Sequence, residues 1–203
     1  METRKYKENE YINIVNDLNK GLVVGFPTET VYGLAIVYDS IEAFKSLYEI
    51  KHREITKPIS MMVYDKNTIQ KVAEVSIKQQ KVIDKLMPGP LTIVLKAKNN
   101  LPSFVTFNKP TIGIRIPTNK TALNVLCHVG KPLLVTSANL SNSESLINWD
   151  DVYNTFNGQI SSLIMENASL KVASTVVDLC DDKVKILRQG PITEDEIIAA
   201  MEE

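Results

Sequence analysis

Short runs of apolar residues, each bounded by turn-forming or polar residues, recur along the chain. Many contain the β-branched side chains that favour strands, and most are too short to form a helix of ordinary length. A strand that is buried on both faces has this appearance. The runs predict strands at residues 22–26, 34–37, 59–63, 91–96, 112–116, 133–136, 163–165, 175–179 and 184–187.

Between the apolar runs, hydrophobic residues recur at the spacing of helices. The first such stripe falls within residues 11–18 and ends before Gly21, which suits a left-handed C-terminal cap. Asp39 and Glu42 resemble a capping box at the start of the next helix, and residues 193–196 contain another before the last helix. Further stripes predict helices over residues 68–86, 122–129 and 150–156.

The order of these elements predicts an α/β fold. Asp181-Asp182 lies between the last two predicted strands, where a hairpin turn would pair them antiparallel. We therefore expect a twisted, mixed sheet with flanking helices rather than a purely parallel one. A chain of 203 residues with 44% hydrophobic residues can bury a core of its own, and it shows no internal repeat or linker-like stretch. We expect a single domain over residues 1–203.

Charge and hydropathy narrow the classes of function. The formal net charge is -1 and charges of both signs are interspersed, so no basic surface is expected to hold a long polyanion. Nucleic acid is therefore not the first expected ligand. Residues 1–10 are charged and polar, unlike a signal peptide, and no apolar run approaches the roughly 20 residues of a membrane span. We expect a cytoplasmic protein without a membrane segment.

The residues of common catalytic and metal-binding motifs are few and widely separated. Cys127 and Cys180 are not at metal-ligand spacing, so neither a disulfide framework nor a zinc site is expected. His52 and His128 are each expected on a helix surface or in packing rather than in catalysis. Gly130-Lys131 lacks the flanking residues of a P-loop, and no G-x-G-x-x-G fingerprint occurs. With no nucleophile paired with a base, a covalent hydrolase is disfavoured.

Small polar side chains follow two of the predicted strands. Thr28, Glu29 and Thr30 come directly after the strand at 22–26, and a Thr-Ser-Ala-Asn segment at 136–139 ends another. In open α/β sheets, ligands commonly bind in the crevice beyond the carboxyl ends of the strands. The alternative for the first segment is a tight turn with no ligand.

Basic residues occur in two settings. The end of the second predicted helix carries Lys51, Arg53 and Lys57. These either bind an anion or are solvated charges that complement the helix dipole. Within the strand at 112–116, alternation places Arg115, together with Thr111, on the face opposite the isoleucines. Such an arginine needs an anionic partner, which is either a ligand or an internal carboxylate such as Glu29 or Asp178.

Several motifs follow one another at characteristic spacing. They are PTETVYG at 27–33, KHR at 51–53 with KP at 57–58, PGPLT at 88–92, IRIP at 114–117, KPL at 131–133, TSANLS at 136–141, STVVD at 174–178 and LRQG at 187–190. In this order they resemble the YrdC/TsaC family of threonylcarbamoyl-AMP synthases. Each motif alone is weak, whereas the ordered set is specific. The resemblance runs from about residue 11 to 193 and is closest to the short form of the family, which lacks an extra C-terminal domain.

The resemblance implies a YrdC-like mixed sheet with a large cationic cleft, and a nucleotidyltransferase. Such an enzyme converts ATP, L-threonine and bicarbonate into L-threonylcarbamoyladenylate and pyrophosphate. Downstream transfer enzymes would then pass the threonylcarbamoyl group to an adenosine next to the anticodon of tRNA. A weak contact with tRNA or other RNA would be compatible with this role.

The resemblance also implies the residues of the site. ATP or its adenylate would be surrounded by Lys51, Arg53, Lys57, Thr111, Ser137, Asn139, Ser145 and Arg188. Threonine would be held by Thr30, Arg115 and Ser174, in a pocket shaped by Met62 and Val135. Lys51 and Arg53 would be the catalytic residues. No protein ligand to a metal is implied, because magnesium would arrive with ATP and bind mainly phosphate oxygens.

The implied reaction needs no protein nucleophile, because the carbamate of threonine itself attacks the α-phosphorus of ATP. Positive side chains and magnesium would lower the barrier between two anions. Two alternatives remain open. One is a non-catalytic RNA-binding or ribosome-associated module, and the other is a paralogue that handles a different carbamoyl-adenylate, as in hydrogenase-maturation carbamoyltransferases.

Overall fold

A ten-stranded sheet forms the centre of the protein over residues 2–52, 58–140 and 143–202, which the computed structural model describes. In chain order the strands are β1 Arg4–Tyr6, β2 Val24–Phe26, β3 Gly33–Val37, β4 Ser60–Met62, β5 Leu91–Lys96, β6 Thr111–Arg115, β7 Leu133–Ser137, β8 Ser162–Ile164, β9 Thr175–Asp178 and β10 Lys185–Arg188. Strands β2 to β10 each overlap a predicted apolar run. β1 was not predicted, because its sequence is short and mostly polar.

The sheet is mixed, as the sequence predicts. Its strands are ordered β1-β8-β2-β3-β7-β4-β6-β5-β9-β10. The pairs β1/β8, β2/β8, β4/β6 and β5/β9 are parallel, and the other neighbouring pairs are antiparallel. β9 and β10 form the hairpin expected at Asp181-Asp182, where Asp182 adopts a positive φ of 54°.

Helices flank both faces of the sheet. They are α1 Tyr11–Asn19, α2 Ile41–Ile50, α3 Lys66–Val72, α4 Ile77–Leu86, α5 Ser103–Thr106, α6 Lys120–Val129, α7 Trp149–Phe156 and α8 Glu194–Glu202, with a 3₁₀ turn at Glu8–Glu10. Gly21 follows α1 with a φ of +74°, as expected for its cap. Thr193 and Glu196 form the predicted box before α8. Among the helices of the described ranges, none combines the length and the apolar character needed to cross a membrane.

Two predictions about helices were wrong. The stripe over 68–86 is divided between α3 and α4, because Ala73 pairs with Ala97 as an isolated β-bridge and Ser76 starts a new helix with its own capping box. The N-cap of α2 is Ser40, whose hydroxyl accepts from the amide of Ala43. Asp39 instead accepts a hydrogen bond from Lys131 at 2.7 Å.

The core is divided into two clusters by the sheet. Alternation along β3 sends Leu34 and Ile36 into the larger cluster, which also contains apolar side chains of α2, α3, α4, α7 and α8. Ala35 and Val37 point into the smaller cluster, where α1 and α6 cover the opposite face. That smaller cluster takes its strand residues from β2, β3, β4, β7 and β8. The helices α1 and α6 therefore cover only one half of this face.

Candidate active site

Polar side chains occupy the half of this face that lies beyond α1 and α6. Alternation turns Ser60, Thr92 and Arg115 to this side, and they line a cavity of about 160 Å³ beside β7. A crevice at the carboxyl ends of β2 and β7 was expected. Both strands run antiparallel to β3, so their carboxyl ends share one edge, and Thr30 and Ser137 at these ends line the cavity. The expected position is confirmed, and β4 and β6, which run opposite to β7, contribute further lining residues from the face of the sheet.

Arg115 is held by two side chains from the segment that follows β2. Its Nη2 lies 2.6 Å from Oε1 of Glu29, and its Nη1 donates to Oγ1 of Thr30 at 2.9 Å. The side chains of Arg115 and Glu29 are only 8% and 12% exposed. Over the described residues, Nε of Arg115 and Oε2 of Glu29 are buried without a hydrogen-bond partner. Arg115 therefore has an internal carboxylate partner and still has donors that these two contacts do not use.

A second arginine stands across the cavity. Arg188 donates from Nε to the carbonyl of Ser174 and from Nη2 to its hydroxyl, both at 3.1 Å. The Ser174 hydroxyl is 2.9 Å from that of buried Thr92. Burial of the guanidinium, and secondarily the positive charge of Arg115, lower the pKa of Arg188 from its usual value. The negative charge of a bound anion would offset both effects, so the two arginines make this cavity suited to an anionic group.

Lys51 lies beneath the end of β7. Its side chain is 1% exposed, and its ammonium donates to the carbonyls of Ser137 at 2.5 Å and Asn139 at 2.6 Å. The Ser137 carbonyl also accepts from the amide of Asn139, and the Ser137 hydroxyl donates to Oδ1 of Asn139. The Asn139 amide group in turn donates to the carbonyls of Leu140 and Ser143. Lys51 thus contributes to holding the tight turn that carries Ser137 and Asn139.

A second cavity, of about 350 Å³, adjoins the first on the same face. The two share Ser60, Thr92 and Arg188 in their linings. The second is lined further by Thr111 of β6 and by the apolar side chains of Phe107 and Leu187. The shared lining would allow two ligands to meet.

The structure brings most of the predicted site residues together. Those that line the first cavity are Thr30, Met62, Arg115, Val135, Ser137, Ser174 and Arg188. Thr111 lines the second cavity with Arg188. Lys51 and Asn139 lie behind Ser137, and Ser145 lies in the partly buried segment that follows this turn. Arg53 and Lys57 lie outside the described residues.

Several residues at the site were not predicted as ligand contacts, and three of them bear on its chemistry. Thr28 and Thr92 line the first cavity, and Glu29 pairs with Arg115. Alternation in the strand at 91–96 places Thr92 opposite its leucines and isoleucine, which is a signal that could have identified it. Thr28 stands beside Thr30 in the same motif. Glu29 was considered as an internal partner of Arg115, and that alternative is confirmed, whereas Asp178 accepts from the amide of Cys180.

No metal centre can be assigned from side chains. Within residues 2–52, 58–140 and 143–202, no group of three or more histidine, cysteine, aspartate or glutamate side chains is placed to hold an ion. Glu29 and Asp178 lie near the two cavities, and each accepts a hydrogen bond at one carboxylate oxygen.

Known proteins of similar sequence match most of this chain. A protein of Methanocaldococcus jannaschii is 36% identical over 192 residues, which are 94% of this chain and 89% of that protein. The threonylcarbamoyl-AMP synthase of Bacillus subtilis is 33% identical over 187 residues, which are 91% of this chain and 54% of that enzyme. This chain therefore spans about half the length of the latter.

A solved structure has the same fold. The Pyrococcus abyssi protein Sua5, in complex with L-threonine, matches with a TM-score of 0.90 and 28% identity, over 98% of this chain and 59% of that chain. The model of the Sua5/YciO/YrdC family, described as "Telomere recombination", matches residues 16–190. With the fold, the cavity and these matches in agreement, the chain belongs to the Sua5/YciO/YrdC family.

Proposed function

We propose that this protein synthesises L-threonylcarbamoyladenylate and pyrophosphate from ATP, L-threonine and bicarbonate. The observation that carries the proposal is the first cavity, because every residue expected to contact threonine lines it, although these residues are scattered between positions 30 and 174. The naming of the Bacillus subtilis relative and the threonine complex of the Pyrococcus abyssi protein support the same assignment.

The first cavity offers threonine the groups that an amino acid needs. Arg115 and Arg188 supply positive charge for the carboxylate, and guanidinium groups bind carboxylates with directed hydrogen bonds. Thr30 and Ser174 add hydroxyls beside these charges. The side chains of Met62 and Val135 supply apolar surface that would contact the methyl group of threonine.

The second cavity is our proposed site for the nucleoside part of ATP. Its apolar lining suits a base, and Thr111 offers a hydrogen-bonding group beside it. Arg188 is shared by both cavities and would face the phosphates. Lys51, Arg53, Lys57, Ser137, Asn139 and Ser145 complete the proposed nucleotide site. The large cationic cleft of the family remains part of this proposal, with Arg115 and Arg188 as its described arginines.

The proposed reaction joins the contents of the two cavities. The amine of threonine and bicarbonate give a carbamate with loss of water. A carbamate oxygen then forms a bond to the α-phosphorus, and the bond from that phosphorus to pyrophosphate breaks. Both reactants are anions, so fixed positive side chains would lower the barrier, and no protein nucleophile takes part. Magnesium bound to the phosphates would neutralise further negative charge.

We further propose a cytoplasmic setting, in which downstream transfer enzymes pass the threonylcarbamoyl group to tRNA. Any direct contact of this chain with RNA would be weak, because the formal net charge is -1. RNA affinity that falls steeply with salt, together with an absence of ATP turnover, would favour the alternative of an RNA-binding module.

The decisive experiment is mass spectrometry of the products after incubation with ATP, magnesium, bicarbonate and threonine. We expect threonylcarbamoyladenylate, and pyrophosphate release that requires both threonine and bicarbonate, because neither supplies the attacking carbamate alone. Equal pyrophosphate release without threonine would contradict the assignment. Activity with carbamoyl phosphate in place of threonine would favour the paralogue instead.

A further inference from the structure

The hydroxyl groups of Thr28 and Thr30 form a chain of hydrogen bonds. The contact of Thr28 with the backbone carbonyl of Val31 determines which hydroxyl donates to the other. Oγ1 of Thr28 lies 2.7 Å from the carbonyl oxygen of Val31. A carbonyl oxygen can only accept, so this contact uses the single hydroxyl proton of Thr28. Both threonines are buried, with exposures of 2% and 0%, so water does not compete for this proton.

The direction of the next hydrogen bond follows. The two threonine hydroxyls are 2.9 Å apart, and since Thr28 has no second proton, Thr30 must be the donor. The backbone N–H of Thr30 also donates to Oγ1 of Thr28 at 3.2 Å. Thr28 therefore donates once and accepts twice, which uses its full capacity.

The contact with Arg115 limits the hydrogen-bonding capacity that remains on the Thr30 hydroxyl. The guanidinium of Arg115 has no acceptor atom, so Nη1 must donate to Oγ1 of Thr30 across their 2.9 Å contact. The hydroxyl of Thr30 thus donates to Thr28, accepts from Arg115 and retains one unused lone pair. Because Thr30 lines the first cavity, that lone pair is what its side chain can offer a bound molecule.

We infer that Thr28 is a positioning residue that takes up the hydroxyl proton of Thr30 and leaves Thr30 able only to accept a hydrogen bond from the cavity, so that the cavity selects a ligand with an N–H donor at this point. The inference rests on the proposed function, in which an amino acid occupies the first cavity. The α-amino group of an amino acid satisfies the lone pair. A 2-oxo acid of the same size places an oxygen there, which leaves two acceptors facing each other and a buried group unpaired.

A matched ligand pair tests this selection without using catalytic activity. L-2-aminobutanoate and 2-oxobutanoate differ only at the α position, and each can be titrated calorimetrically into the full chain. We expect wild type to prefer the amino acid by at least about tenfold, the lower bound for a hydrogen bond to a charged group. In Thr28→Val the hydroxyl of Thr30 loses its acceptor and can turn its proton toward the ligand, so the preference should fall by about tenfold.

Two further variants separate hydrogen-bond direction from a general loosening of the fold. Thr28→Ser retains the hydroxyl and should retain the preference. Thr3→Val is the matched control, because Thr3 is also buried, donates to the carbonyl of Ile160 at 2.7 Å and accepts from the amide of Gly158 at 3.0 Å. It lies away from both cavities and should leave the preference unchanged.

The outcomes are distinct. Each of three results overturns the inference. The preference is unchanged in Thr28→Val, it is lost in Thr28→Ser, or it falls as much in Thr3→Val as in Thr28→Val. If Thr28→Val does not fold, Thr28→Ala replaces it, with the same expected loss of preference. Equal wild-type affinities for the two acids overturn the inference alone, whereas no binding of either acid or of threonine overturns the proposed function as well.

Discussion

Over β8, β2, β3 and β7, one face of the sheet is sealed by α1 and α6 with apolar side chains, whereas over β6, β5 and β9 the same face is open and polar. In the sealed half, side chains such as Leu18 and Leu126 are almost fully buried. In the open half, Arg115 and Thr92 are nearly as buried, but their neighbours are hydrogen-bonding groups.

The difference shows how this fold separates stability from recognition. Apolar burial beneath α1 and α6, such as that of Leu18 and Leu126, contributes to folding without directing these side chains at a ligand. Most polar groups of the open half are paired before a ligand arrives, because an unpaired buried group is costly. The pairing of Arg115 with Glu29 and Thr30 therefore also orients the guanidinium that the ligand would meet.

The largest effect is expected in the sealed half. Leu126→Ala should lower the free energy of unfolding by about 2–5 kcal/mol, because it leaves a cavity between α6 and the sheet. Threonine affinity of the folded fraction should not change. Chemical denaturation followed by calorimetric titration below the transition measures both quantities. Threonine affinity that falls in parallel with stability would show that the two halves are not separate.

In the open half, Arg115→Lys should show the reverse pattern, in which threonine affinity falls and stability changes little. Lysine keeps the charge but lacks the planar fork, so we expect a loss of about 1.5–3 kcal/mol in threonine binding, or roughly ten- to a hundredfold. ATP affinity measured without threonine should change little. If ATP weakens as much as threonine, or threonine is unaffected, then Arg115 serves only as the internal partner of Glu29.

Lys51→Met tests whether the buried ammonium acts on the ligand or on the turn. If Lys51 acts by holding the carbonyls of Ser137 and Asn139, threonine binding without ATP and ATP binding without threonine should both weaken, by about 1–2 kcal/mol. A direct phosphate contact alone would weaken only ATP. Hydrogen exchange at the amides of residues 138 and 139 should also accelerate in the unliganded variant.

The smallest effect is expected at Lys131, a surface lysine that serves as the matched control for Lys51. Lys131 contacts Asp39 at 2.7 Å, and this carboxylate raises the pKa of Lys131. Lys131→Met should change stability by less than about 0.5 kcal/mol and leave both affinities unchanged, because exposed substitutions of this kind rarely exceed that range. A loss of ligand affinity equal to that of Lys51→Met would mean that removing any positive charge, rather than the turn at Ser137, explains the result.

Local patterns were sufficient to predict most of the elements. Alternation in the strand at 112–116 placed Arg115 opposite the isoleucines, and Gly21 ended α1 at a positive φ. Where tertiary contacts competed with a local pattern, the prediction was wrong. The break between α3 and α4 depends partly on the pairing of Ala73 with Ala97, a contact that no local pattern shows, and partly on the capping box at Ser76, a local signal that the prediction overlooked.

The sequence by itself determined the order of strands and helices, the mixed character of the sheet and the family motifs, because these depend on spacing along the chain. Only the tertiary structure decided which polar groups meet. Arg115 reaches Thr30 across 85 positions, and Lys51 reaches the carbonyl of Ser137 across 86. Strand order brings these segments together, and burial then favours hydrogen bonds between the polar atoms that meet, which spacing along the chain does not encode.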